Sequence, residues 1–141
     1  MAERYEVVAA TTDGRRVQVE ADGRTTVVDL AAAQGGPGEH PNPDETLLAA
    51  LGGCTLITLQ MYAKRKGWDL GAIKVRVTMD VAGGDVPPHI VQTVQLGDGL
   101  DAEQRERLEQ IAGRCPIHRL LAGPMTFEDR LGIVDGAGAT T

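Results

Sequence analysis

Apolar and polar residues alternate loosely over Arg4–Ala10 at the start of the chain, and two further short β-rich runs follow, Val17–Ala21 and Thr25–Leu30. Asp13-Gly14 and Asp22-Gly23 stand between them. Asp-Gly between β-rich runs is a tight-hairpin signal, so the pattern predicts three strands in an antiparallel meander. Residues 31–43, AAAQGGPGEHPNP, hold three glycines and three prolines, too dense a punctuation for helix or strand. This predicted loop leads straight into the next element, which suits it to a lid or a pocket wall. From Asn42 the pattern changes. Asn42 suits an N-cap, Pro43 the first turn, and Asp44 and Glu45 the positive end of a helix. Leu47, Leu48, Ala50, Leu51, Leu56, Ile57, Leu59, Met61 and Tyr62 then make the segment apolar nearly all round, until Lys64, Arg65 and Lys66 precede Gly67. The prediction is a long helix ending at 66, buried on most sides within one subunit or between two.

Beyond it, Ile73–Val81 alternates cleanly, with Ile73, Val75, Val77, Met79 and Val81 on one face of a half-buried strand. Residues 83–88, GGDVPP, turn the chain, and His89–Leu96 returns as a strand. Asp101 with Gln104 forms a capping box ahead of a helix whose stripe is Leu108, Ile111 and Ala112. Gly113 and Cys115-Pro116 interrupt that helix, and a short one resumes over 116–121. Met125–Leu131 reads as a closing strand, and residues 135–141, DGAGATT, as a disordered tail. The order βββ-α-ββ-α-α-β is that of an α+β fold with a mostly antiparallel sheet, in a single domain over residues 1–141.

Composition narrows the partners. The net charge of −6, with one Trp, two Tyr and one Phe, supplies neither the basic footprint nor the stacking rings that nucleic acid requires. No run of eighteen apolar residues is present, so no membrane span is expected. The opening MAERYEVVAA is charged at once and lacks a secretory apolar core, which points to the cytoplasm.

Cytosolic thiols are kept reduced, so the two cysteines, Cys54 and Cys115, are core residues, metal ligands or redox groups rather than a permanent staple. Two readings of Cys54 stand side by side. It is a small buried hydrophobe in an apolar helix, or a thiolate lowered in pKa by nearby N–H groups or a cation. Gly52-Gly53 could break the helix and aim fresh N–H groups at the sulfur, and Arg15, Arg16 and Arg24 on the hairpins could supply the cation. Cys115 lies at a helix interruption beside Arg114, His118 and Arg119, an electropositive and partly buried setting. Cys115 and His118 have C-x-x-H spacing, to which Cys54 or His89 could add, but structural zinc normally shows two such pairs. Neither a nucleophile elbow nor a phosphate-binding or dinucleotide motif occurs.

The runs GGPGEHPNPDETLLAALGGC, MYAKRKGWDL and DAEQRERLEQIAGRCPIHRLL resemble the OsmC/Ohr family of osmotically inducible and organic hydroperoxide resistance proteins, from Tyr5 to the last strand. The wording MYAKRKGW is nearest to the OsmC-like domains sometimes fused behind an α/β-hydrolase. The resemblance implies an intertwined homodimer with long central helices packed between two sheets. It implies a thiol peroxidase with no metal and no organic cofactor. Cys54 matches the peroxidatic cysteine and Cys115 the resolving one, with a Cys54–Cys115 disulfide reset by an external dithiol such as a lipoyl group. The family's thiolate-stabilising arginine falls at Arg15, with Arg16 adjacent, and its supporting glutamate falls at Asp44, with Glu45 one step on. The alternatives are an OsmC-like protein that binds a small apolar ligand, or an accessory module.

Overall fold

The computed structural model describes residues 3–134, so the tail expected over 135–141 lies outside the described residues. Its strands are β1 (Val8–Ala10), β2 (Arg16–Ala21), β3 (Arg24–Asp29), β4 (Lys74–Asp80) and β5 (His89–Gln95). Its helices are α1 (Pro43–Lys66), α2 (Ala102–Ala112) and α3 (Pro116–Ala122). The predicted α+β class, with antiparallel pairing and one long helix, is what the chain adopts. The described residues fall into two compact units, one ending at Thr46 and rejoined from Phe127, the other spanning Leu47–Thr126.

In the first unit β1, β2 and β3 form an antiparallel meander. Asp22 (φ 50°) and Gly23 (φ 77°) turn the β2–β3 hairpin, and left-handed backbone at both positions is what a two-residue turn needs. The following loop is not wholly irregular, because Ala32–Gln34 makes a short 3-10 turn. Gly36 passes so close to the backbone of Leu30 that a Cβ there would collide with its carbonyl. Asn42 caps α1 as predicted and does so reciprocally with Glu45: the Glu45 N–H donates to Asn42 Oδ1 (2.8 Å) and the Asn42 N–H to Glu45 Oε1 (3.0 Å).

In the second unit α1 runs unbroken through Gly52-Gly53 and ends in a Schellman turn. Gly67 is left-handed (φ 73°), and the Trp68 N–H donates to the Ala63 carbonyl at 2.8 Å. The glycine pair therefore opens no new helix start. Gly52 instead serves close packing, since a Cβ there would stand 3.1 Å from Val77 and 3.2 Å from Val75 on β4. Strands β4 and β5 pair Val75 with Val94, Val77 with Gln92 and Met79 with Ile90, all on the half-buried face. Leu59, Ala63, Leu70, Leu108 and Ile111 form the core between α1 and α2.

One expectation is corrected. Met125–Leu131 is not a strand: no other described strand offers it a ladder, and Phe127 and Leu131 stand exposed. Of the burial expected for α1 within one subunit or between two, this chain by itself supplies the stripe Leu51, Gly52, Thr55, Leu59 and Ala63 and leaves Ile57 and Met61 open. Although strictly apolar runs are short, α1 is long and apolar enough, with a mean hydropathy of 1.4, to match a membrane span by length and composition. Core helices meet the same test of length and composition.

Candidate functional site

Cys54 lies on α1 and Cys115 is the N-cap of α3, and the second unit brings the two thiols near enough that Cys115 perturbs the ionisation of Cys54. Both are free. The local reason is the start of α3. Pro116 at its first position has no N–H to satisfy, so the next two N–H groups are the open donors of the first turn. Both face sulfur: the His118 N–H donates to Cys115 Sγ at 3.3 Å, and the Ile117 N–H lies on the Cys54 side, where it favours the thiolate. Free N–H groups near Cys54 were expected from a break in its own helix. They come instead from another one.

Cys115 is fully buried, which corrects the expectation of partial exposure at an electropositive surface. Thr55, one residue on from Cys54, is equally buried; its hydroxyl donates to Gln92 Oε1 (2.8 Å) and lies 3.7 Å from Cys115 Sγ. Burial pushes the Cys54 thiol above its usual pKa, and the neighbouring Cys115 adds to this. The Ile117 N–H and the Thr58 hydroxyl pull the other way without prevailing. Within this chain's second unit, then, Cys54 is a reluctant thiolate, and a reactive role calls for a cation.

The residues expected to supply one belong to the first unit. Arg15 donates to the Gly35 carbonyl through Nε (3.3 Å) and a terminal nitrogen (3.2 Å). Arg16 instead makes a two-pronged bond to Asp29, at 2.8 and 3.0 Å, and a further one to Glu39 at 3.0 Å. Asp29 sits directly across the hairpin from Arg16 and is fully buried. It also accepts the Glu39 and His40 N–H groups, at 3.0 and 2.9 Å, and so straps the loop to the sheet. The Arg16 guanidinium, helped by those two N–H groups and the His40 ring, holds the Asp29 carboxyl well below the usual carboxylate range. Glu45 is committed to the α1 cap, which leaves Asp44 as the first-turn carboxylate open to a cation.

A cavity of about 680 Å³ lies beside the thiols in the second unit, lined by Leu51, Leu59, Ile90, Val94, Leu108 and Leu121 among others. Gln92 and His118 are on its wall, whereas neither cysteine is. No cluster of potential metal ligands forms among the described residues. Sequence reasoning missed Thr55, Gln92 and Asp29. Gln92 carried a signal, being polar at an inward position between Ile90 and Val94 in an alternating strand. Thr55 stood within an apolar helix run, and Asp29 stood opposite Arg16 in the hairpin register.

The OsmC-like protein family profile matches residues 36–128. No curated protein matches the chain. Among solved structures, an OsmC-like protein from Mycoplasma pneumoniae superposes with a TM-score of 0.74 at 19% identity, over 87% of this chain and 90% of that one. An organic hydroperoxide resistance protein, OsmC, from Legionella pneumophila gives 0.64 at 20% identity, over 86% and 93%. The organic hydroperoxide resistance protein OhrB of Bacillus subtilis gives 0.59 at 21% identity, over 86% and 92%.

Proposed function

The chain belongs to the OsmC-like family, and we propose that it is a cysteine-based organic hydroperoxide reductase. The observation that carries this reading is the pairing of Cys54 with Cys115 at the open first turn of α3. The Cys54 thiolate attacks the distal peroxide oxygen, breaks the O–O bond and releases the alcohol once the departing alkoxide takes a proton. The sulfenic acid left on Cys54 condenses with the Cys115 thiol, expelling water and leaving the disulfide. An external dithiol, such as a lipoyl group, restores both thiols by exchange and is itself oxidised.

Because burial raises the Cys54 pKa, the reading requires a cation at the thiolate, and Arg15 is the proposed source, steadied by Asp44. Glu45 is the reserve partner should its cap open. The open apolar side of α1, with Ile57 and Met61 exposed, supports a homodimer in which a second copy covers that face. A cytoplasmic setting fits a couple that needs a dithiol to reset it. The mostly aliphatic cavity favours a second reading, a binder of small apolar ligands that consumes no peroxide.

Titrating the reduced protein with a tertiary alkyl hydroperoxide while following intact mass separates the two. The reductase loses both thiol hydrogens to form the disulfide, and neither Cys54→Ser nor Cys115→Ser does so. An unchanged mass with bound ligand would support the binder.

A further inference from the structure

We propose that Thr55 and Gln92 act as positioning residues that hold the Cys115 thiol and set how readily the Cys54–Cys115 couple oxidises. The proposal rests on that couple as described above. A threonine hydroxyl has one proton and can also accept. The Thr55 hydroxyl is within donating reach of both Gln92 Oε1 (2.8 Å) and Cys115 Sγ (3.7 Å) and has one proton for the two; on the proposal it goes to the shorter contact, which leaves the oxygen to accept from Cys115. The reduced site is then a directed chain from the Cys115 S–H to Thr55 Oγ and on to Gln92. Thr55 and Cys115 are both fully buried, so water does not stand in for either partner.

Oxidation removes one end of this chain. When the S–S bond forms, both thiol hydrogens leave, and they reduce whichever oxidant accepts the electron pair. A disulfide sulfur donates nothing and accepts weakly, so Thr55 then depends on Gln92 alone. A buried hydroxyl without a partner is costly, and Gln92 removes that cost from the oxidised state in particular. Its inward position among Ile90 and Val94 on β5, otherwise a poor place for an amide, has this consequence.

Two measurements test the proposal. In Cys54→Ala protein Cys115 is the only thiol, no new acceptor stands beside it, and its S–H stretching band in the infrared reports the acceptor directly. Thr55→Val is expected to move that band to the position of an unbonded thiol, and Thr55→Ser to keep it in place. In protein with both cysteines, equilibration in oxidised and reduced dithiothreitol gives the disulfide fraction. There the dithiothreitol disulfide is reduced as the protein couple is oxidised. Gln92→Leu is expected to shift the equilibrium toward the thiols by roughly tenfold. Adding Thr55→Val to Gln92→Leu removes the orphaned hydroxyl and returns the equilibrium to within about threefold of the original.

An S–H band unmoved by Thr55→Val, or an equilibrium that Gln92→Leu changes by less than about twofold, would overturn the proposal. The infrared arm needs neither Gln92→Leu nor a disulfide, so a folding failure of that variant leaves a decisive measurement. A protein that shows both shifts yet consumes no hydroperoxide would sink the reductase reading alone. One that consumes hydroperoxide without either shift would sink this proposal alone.

Discussion

Asp29 in the first unit and Cys54 in the second are both acids set against protein, and their surroundings drive them in opposite directions. For Asp29 the strongest influence is the two-pronged bond from Arg16, which outweighs burial and holds the carboxyl down. For Cys54 the strongest influence is burial itself, which outweighs the Ile117 N–H and pushes the thiol up. A charge-assisted pair with ideal fork geometry defeats desolvation, whereas a lone backbone donor to a diffuse sulfur does not. Asp29 is thus built to stay charged and hold a loop. Cys54 is built to stay a thiol until something else ionises it.

Breaking the sulfur side should have the largest effect. Cys54→Ser is expected to abolish hydroperoxide consumption outright, measured by peroxide loss in the presence of a dithiol; retained turnover would remove Cys54 from the chemistry. Breaking the carboxylate side comes next. Asp29→Asn should free the strap, speeding amide exchange at Glu39 and His40 by on the order of tenfold or more and lowering the melting temperature by several degrees. Unchanged protection at those two amides would show that the loop is held by something else.

The opposite pKa shifts predict opposite pH dependences. The depressed Asp29 carboxyl contributes stability that is present above the unfolded carboxylate value, about 3.9, and is lost as pH falls through the lower folded value. Amide protection at His40 should therefore persist past the ordinary carboxylate titration and collapse only in stronger acid. The raised Cys54 thiol contributes stability that is present below the unfolded thiol value, about 8.5, and is lost as pH rises through the folded one. Alkylation of Cys54 in reduced protein kept as a single chain should accordingly have its midpoint above that of the same thiol in unfolded protein. Cys115→Ser should bring that midpoint only part of the way down, because burial is the larger influence.

The smallest expected effect separates the two glycines next to Cys54. Gly53→Ala adds a methyl group into open space and gains helix propensity, for about 1 kcal/mol of added stability in the single chain. Gly52→Ala gains the same propensity but crowds Val77 and Val75, at a cost of about 1 kcal/mol or more that cancels it. Chemical denaturation of both variants side by side would measure the difference. Equal stabilisation would mean that the contact between α1 and β4 is looser than 3.1 Å implies.

Local rules were enough for the elements and their ends. The Asn42 and Asp101 caps, the Asp22-Gly23 turn, the strand alternation over 74–80 and the helix stop at Gly67 each depend on residues within a few positions of one another. Such signals are complete in one stretch of chain, and so they were readable. The run Met125–Leu131 shows where this fails, since alternation prepares a strand but only a neighbouring strand makes one. The apolar side of α1 was equally legible, yet what covers it depends on contacts that one chain's pattern does not contain.

The amino-acid sequence by itself determined the class of fold, the order of its elements as far as α3, and the presence of one cysteine in α1 and another at the start of α3. Only the tertiary structure decided that the two cysteines become neighbours, that α3 rather than α1 brings the N–H groups, and that Thr55 and Gln92 stand behind Cys115. It also decided that Arg16, not Arg15, is the arginine gripped by a buried carboxylate. The physical reason is common to all of these. Hydrogen bonds and desolvation act over a few ångströms in space, and residues tens of positions apart reach that range only when the chain has folded.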